Sequence, residues 1–218
     1  MTFHDRTTAG RLLAEHLDDL VTPSSILAAL SRGGVAVALP VSERFGVPLA
    51  MTYVSKLAAP AAPELALGAI DEEGVMLVDT GMATALALAP EDVEAARQRA
   101  ETDIRRRMAE YLIPPLSRYA PGHAVVLVDE GIATGLTMRA AVAYARRHGA
   151  RHVAVAVPCA SAAAIRRLRP EVDRLVALVV DQHFSAVGDY YGDFRPLGDD
   201  EVARMLARAA EHVRSPSS

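Results

Sequence analysis

Apolar residues recur along this chain at helical and at strand spacing in turn. Leu12, Leu13, Leu17 and Leu20 share a helical face, which predicts an amphipathic first helix from Thr7 to Leu20. A short apolar run from Ile26 to Leu30 follows, then Ser31-Arg32-Gly33-Gly34, a helical stretch from Val35 to Phe45 and a strand from Val47 to Val54. That order is a βαβ unit. Pro60 and Pro63 interrupt the pattern, after which Leu65 to Ala69 and Val75 to Val78 flank Asp71-Glu72-Glu73-Gly74 as the arms of a β-hairpin. This part, about residues 58–90, reads as an insertion rather than as sheet core. A charged helix from Glu91 to Tyr111 comes next, with Pro90 at its first turn and Pro114-Pro115 beyond its end. Ala124 to Val128 and His152 to Val157 are strands bracketing another helix, and Leu175 to Val180 is the last strand. The whole predicts an α/β chain with a doubly wound, mainly parallel sheet in a single domain of residues 1–214, followed by a disordered tail at 215–218.

A chain of 218 residues can bury a sizeable core within one domain. With 51% hydrophobic residues, only 5% aromatics and no Trp, that core is built from Ala, Val and Leu, as parallel sheets covered by helices are. A net charge of −4 and a pI near 6.0 give no broad attraction for nucleic acid, so a phosphate ligand must be held by local groups. The one cysteine, Cys159, excludes an intramolecular disulfide and every Cys-rich metal site, and agrees with a reducing compartment. The opening Met1 to Arg6 lacks an apolar signal region, and no charge-free apolar run reaches the roughly eighteen residues of a membrane span. A cytoplasmic location is therefore expected.

Candidate chemistry concentrates where the run Val125 to Val128 meets Asp129-Glu130 and then Gly131-Ile132-Ala133-Thr134-Gly135-Leu136-Thr137. Four consecutive apolar residues read as a parallel strand covered on both faces, and an open α/β sheet binds its ligand at the C-terminal ends of such strands. The turn offers two glycines for close backbone approach, the hydroxyls of Thr134 and Thr137, and the N–H groups of a helix beginning near Thr137. Those groups suit a phosphate dianion. Carboxylates repel phosphate, so Asp129 and Glu130 are read as acceptors for vicinal sugar hydroxyls. Together these parts make a ribose 5-phosphate clamp. A second anion site is read at Ser31-Arg32-Gly33-Gly34, where two glycines turn amides toward an anion and Arg32 can pair with it. Lys56 closes the second strand and faces the same crevice.

On these residues the chain resembles the type I phosphoribosyltransferases, whose motif is four apolar residues, two acids, three variable residues and Thr-Gly-x-Thr/Ser. Every slot of that thirteen-residue pattern is filled, with Glu130 where many members have Asp. A closer resemblance, over nearly the whole chain, is to poorly characterised, stand-alone bacterial phosphoribosyltransferase-like proteins. Asp5-Arg6 and Ala9 to Ala14, Arg32 to Val35, Lys56-Leu57, Pro63 to Ala69, Tyr191 to Phe194 and Asp200 to Val202 carry it. Three departures stand out: Ser31 replaces Pro, Ser55 replaces an Arg before the Lys, and Ala58 replaces Gly.

The resemblance implies a type I phosphoribosyltransferase fold with a small C-terminal hood at about 182–198. It implies phosphoribosyl pyrophosphate (PRPP) as donor, Mg²⁺ bound through PRPP with Asp129 and Glu130, an acceptor that is a nucleobase or small amine, and a homodimer. Asp129 and Glu130 fall to the ribose hydroxyls; Ala133, Thr134, Gly135 and Thr137 to the 5-phosphate; Ser31, Arg32, Gly33, Gly34 and Lys56 to pyrophosphate, with Arg32 and Lys56 assisting its departure. The insertion is a lid or a dimer arm. The segment from Gln182 to Phe194 holds four of the chain's ten Phe and Tyr residues, and Phe184, Tyr190 and Tyr191 are read either as an aromatic wall for the acceptor or as packing for the C-terminal helix. A PRPP-sensing module without turnover is the alternative function.

Other chemistries find less support. Neither a P-loop nor a Gly-x-Gly-x-x-Gly turn is present. His148 and His152 are separated by a helix-ending Gly149, which argues against a zinc pair. Cys159 is read as a small buried thiol, and Arg105-Arg106-Arg107 as a solvated helix face.

Overall fold

The computed structural model describes residues 2–59, 62–111 and 113–214, so the predicted tail lies outside the described residues. Along the chain come helix α1 (Arg6–Ala14), strand β1 (Ser25–Ala29), α2 (Arg32–Phe45) and β2 (Leu49–Met51). The middle contains β3 (Val54–Ala59), β4 (Ala62–Asp71), β5 (Met76–Val78), a short α3 (Thr80–Ala85) and the long α4 (Pro90–Tyr111). The last part is β6 (Ala124–Val128), α5 (Leu136–Arg147), β7 (His152–Ser161), α6 (Ala162–Leu168), β8 (Arg174–Asp181) and α7 (Asp199–Arg214).

Five strands form one parallel sheet in the order β2-β1-β6-β7-β8, and β3, β4 and β5 form a separate antiparallel sheet. All of β1, and β6 from Val125 onward, are buried, because helices cover both faces. On one face Leu27, Val126 and Ala156 pack with Leu13, Val37, Ile104 and Leu206 of α1, α2, α4 and α7. On the other, Leu127 and Val155 pack with Met138, Tyr144 and Leu168 of α5 and α6. Pairing of Ala29 with Val128 brings the ends of β1 and β6 side by side, so whatever follows each strand meets at one edge.

Several boundaries differ from the sequence reading. Helix α1 stops at Ala14, and Leu17 and Leu20 lie beyond its end while Leu17 stays buried. The expected strand Val47 to Val54 is two strands in two sheets. Thr52 N–H donates to Ala29 at 2.9 Å, and beyond it the chain leaves the main sheet, so Lys56 belongs to the antiparallel one. Helix α2 starts at Arg32, with Gly33 and Gly34 inside its first turn, because the Ser31 hydroxyl accepts from Gly34 N–H at 2.8 Å and acts as N-cap. Strand β7 runs past Pro158 to Ser161, where the sequence pattern stopped at the proline. Arg107 is buried and donates to the Val54 carbonyl at 2.9 Å, so only part of the arginine run is solvated.

The hairpin expected at Asp71 to Gly74 is present and is fastened to α5. Asp71, 2% exposed, accepts from Glu73 and Val75 N–H, each at 3.0 Å, and from Arg147 Nη2 at 2.8 Å. Glu72 accepts from the Tyr144 hydroxyl, and burial pushes its carboxyl upward. His148 is the C-cap of α5, with its Nε2 lying 2.9 Å from Glu73 Oε1.

Candidate functional site

Strand β6 delivers Asp129 to the sheet edge directly beside Ser31. Asp129 Oδ1 accepts from the Ser31 hydroxyl at 2.5 Å and from Glu130 N–H at 3.0 Å. Burial and the neighbouring Glu130 charge lift its carboxyl to about 7, against the pull of those hydrogen bonds and of Arg6. The folded chain therefore holds a proton that the unfolded chain releases near 3.8, and stability falls as pH rises from there through about 7. One proton allows a slope of at most about 1.4 kcal/mol per pH unit. Asp129→Asn should flatten that decline in urea midpoints measured from pH 4 to pH 8 without ligand. Equal slopes in the two proteins would remove Asp129 as its source.

The turn after Glu130 hangs on the extended end of β7. Ile132 N–H donates to Cys159 at 2.9 Å, Ser161 N–H to Ile132 at 2.8 Å, and the Ser161 hydroxyl to the Ala133 carbonyl at 2.6 Å. Gly135 then adopts φ of 84°, a left-handed angle that favours glycine, and α5 starts at Leu136. The N–H groups from Ala133 to Thr137 donate to no described residue, which makes an open anion cradle at the start of a twelve-residue helix. Asp129, Glu130, Ala133, Thr134, Gly135 and Thr137 line a cavity of about 390 Å³, and Lys56 and Ala66 of the small sheet line it too.

Glu130 is held from three sides. Its carboxylate accepts from Arg6 Nε, with only 10% and 21% of the two side chains exposed. It also lies over the first turn of α2 so closely that a Cβ at Gly33 would collide with it. Its carbonyl accepts from the Tyr191 hydroxyl at 2.6 Å, and the Cys159 thiol points at the same oxygen from 3.6 Å. Cys159 is fully buried, its thiol pushed up to about 12 chiefly by burial, as expected of a packing residue.

Arg32 is absent from the cavity wall: its guanidinium faces Asp199 at 3.7 Å, beside the pairs Asp199 makes with Arg106 at 3.0 Å and the Tyr111 hydroxyl at 2.7 Å. Ser31, Gly33 and Gly34 support the two acids from α2 without lining the cavity. The rings of Phe184, Tyr190 and Tyr191 do not line this cavity. They join Phe3, Ala9, Cys159 and Phe194 in a small core, with Phe184 stacked on Tyr190 at 4.9 Å and Tyr191 tilted against Phe3 at 5.6 Å. Apolar ring area drives this burial, and Val187 alone from that segment reaches the cavity. Arg6 was not assigned a role by the sequence, although a charge in the stripe Arg6, Ala9, Gly10, Leu13 signals a buried ion in need of a partner.

Residues 7–194 match the family model described as the phosphoribosyl transferase domain. The chain belongs to that family. It is 40% identical to the TT1426 protein of Thermus thermophilus, covering 95% of this chain and 99% of that one, with a TM-score of 0.74. The provisionally named phosphoribosyl transferase Rv0571c of Mycobacterium tuberculosis is 37% identical over 207 residues. That match takes in 95% of this chain but 47% of the relative, so this chain spans about half the relative's length. A Neisseria gonorrhoeae protein solved with ppGpp bound shares the fold at 14% identity and a TM-score of 0.51, over 95% of this chain and 98% of that one.

Proposed function

We propose that this chain binds PRPP with Mg²⁺ and transfers ribose 5-phosphate to a nitrogen acceptor, a nucleobase or small amine, releasing pyrophosphate. The observation that carries the proposal is one cavity that joins an open N–H cradle, two adjacent carboxylates and a lysine. The 5-phosphate sits on Ala133 to Thr137 at the start of α5, where the helix dipole favours an anion. The ribose hydroxyls donate to Asp129 and Glu130, whose negative charge also favours an oxocarbenium-like transition state at the anomeric carbon. Lys56 assists the leaving pyrophosphate from the small sheet's side of the cavity, and Arg32 joins it by turning away from Asp199.

The donor set fits Mg²⁺, since carboxylate oxygens are hard ligands. Among the described residues, however, no group of three or more His, Cys, Asp or Glu could hold an ion by itself. The fitting case is thus an ion that arrives with its own phosphate oxygens and waters. When bound it neutralises charge on the departing pyrophosphate. A homodimer and a cytoplasmic setting belong to the same proposal.

Lys56→Ala should weaken PRPP and pyrophosphate by roughly 1.5–3 kcal/mol, about ten- to hundredfold, and ribose 5-phosphate much less. Competition binding measures this, and equal losses for all three ligands would place Lys56 outside the pyrophosphate site. Three features favour a PRPP-sensing module instead: Arg32 held by Asp199, Ser55 in place of a second cation, and buried rings where an acceptor wall was expected. Incubation with Mg²⁺–PRPP and a panel of bases and small amines separates the two. Acceptor-dependent pyrophosphate release supports transfer, and binding without release supports the sensor.

A further inference from the structure

We infer that Arg6 is a positioning residue that makes Glu130, the first residues of the chain and the segment 190–195 one mechanical unit, so that occupancy at the ribose-facing acid is felt in that segment. The inference rests on the proposed function for its ligand, and on the geometry of Arg6 for everything else.

Three parts of the Arg6 side chain have separate tasks. Its Nε donates to the Glu130 carboxylate, its Nη1 donates to the Arg195 carbonyl at 3.0 Å, and its guanidinium lies over the Phe194 ring at 4.0 Å from the centroid. Residue burial at 9% exposure makes these contacts the main environment of the charge, and a buried guanidinium that loses its carboxylate is strongly disfavoured. Backbone bonds tie the neighbouring residues to the same segment. Phe3 N–H donates to Tyr190 at 2.7 Å, Gly192 N–H to Phe3 at 2.7 Å and Asp193 N–H to His4 at 2.8 Å. Asp5 caps α1 by accepting from Thr8 N–H at 2.7 Å, which fixes where Arg6 leaves the helix. On the far side, the Tyr191 hydroxyl holds the Glu130 carbonyl.

Glu130 is thus gripped at carboxylate and carbonyl by one continuous unit, while among the described residues Asp129 is hydrogen-bonded by Ser31 and a backbone amide. The two acids of the clamp differ in wiring, and the longer Glu130 side chain is what reaches Arg6. Arg6 belongs to the Asp5-Arg6 pair that carries the closer resemblance, where no role is attached to it. Its contact with Glu130 over 124 positions is a property of this fold.

A double-mutant cycle on the full chain tests the inference with Arg6→Ala, Glu130→Gln and both changes together. Hydrogen exchange of the unliganded proteins reads the unit directly, and calorimetry reads Mg²⁺–PRPP affinity, with inorganic phosphate reporting on the α5 cradle. Each single change should speed exchange at 190–195 and weaken PRPP at least tenfold. The double change should do no more than the worse single one, and phosphate affinity should stay constant. Losses that multiply, unchanged exchange in Arg6→Ala, or an equal loss of phosphate binding would overturn the assignment. If Arg6→Ala does not fold, Arg6→Lys enters the cycle; it keeps a charge for Glu130 and loses the fork to Arg195. Absence of PRPP binding by the wild-type chain would overturn the proposed function instead, and the exchange cycle would still decide whether Arg6 and Glu130 act as one.

Discussion

The combined change Asp129→Asn and Glu130→Gln should abolish Mg²⁺-dependent PRPP binding while the chain keeps its fold. Both replacements preserve shape. The amide put in by Asp129→Asn can still accept from Ser31, and it removes a carboxyl that burial pushes to about 7. The amide put in by Glu130→Gln keeps an acceptor for Arg6 beside Gly33 but brings no charge to that buried guanidinium, so the variant stays folded with a lower melting temperature and a looser 190–195 segment. What disappears, above about pH 7 where Asp129 is ionised, is a pair of charged acceptors for vicinal hydroxyls, each worth about 1.5–3 kcal/mol. The summed loss of roughly 3–6 kcal/mol is more than a hundredfold in affinity. Calorimetry with Mg²⁺–PRPP checks this, alongside a thermal melt to confirm folding. Unchanged affinity would mean that the acids do not face the ribose.

Asp71→Ala should be the most damaging single change away from the cavity. This buried carboxylate ends β4, accepts two backbone N–H groups of the hairpin turn and receives Arg147 from α5. Its removal takes the acceptor from the Glu73 and Val75 N–H groups and from Arg147, and unfastens the sheet that carries Lys56 from the helix that carries the phosphate cradle. A cost of about 2–4 kcal/mol follows from those lost partners. For a chain of this size it lowers Tm by roughly 4–16 °C. PRPP affinity should fall as well, through misplacement of Lys56. A variant that melts like the wild type would show that the turn keeps its shape without the carboxylate.

The clamp was legible in the sequence because all its parts are contiguous. A buried strand, two acids, a glycine turn and a helix start occupy thirteen consecutive residues, and each local preference agrees with the fold. The parallel sheet was legible for the same reason, from apolar runs separated by helical spacing. What could not be read depends on distant partners. The single run from Val47 to Val54 gives no sign that Thr52 ends one sheet and Val54 begins another; pairing with Ala29 and with Asp71 decides that. Pro158 reads as a strand end, yet β7 continues because Cys159 to Ser161 pair with Val179 to Asp181 of β8 and are stitched to the loop at Ile132. Arg107 looks like its exposed neighbours until the Val54 carbonyl is placed beside it. The direction of Arg32 is set by Asp199, and the burial of Tyr190 and Tyr191 by Phe3 at the other end of the chain.

A crystal structure of the chain grown with Mg²⁺ and PRPP tests the central claim most directly. The account predicts density for the 5-phosphate on the N–H groups of Ala133 to Thr137, ribose hydroxyls on Asp129 and Glu130, and pyrophosphate within reach of Lys56. PRPP bound elsewhere, or bound here with its 5-phosphate away from the α5 cradle, would contradict it.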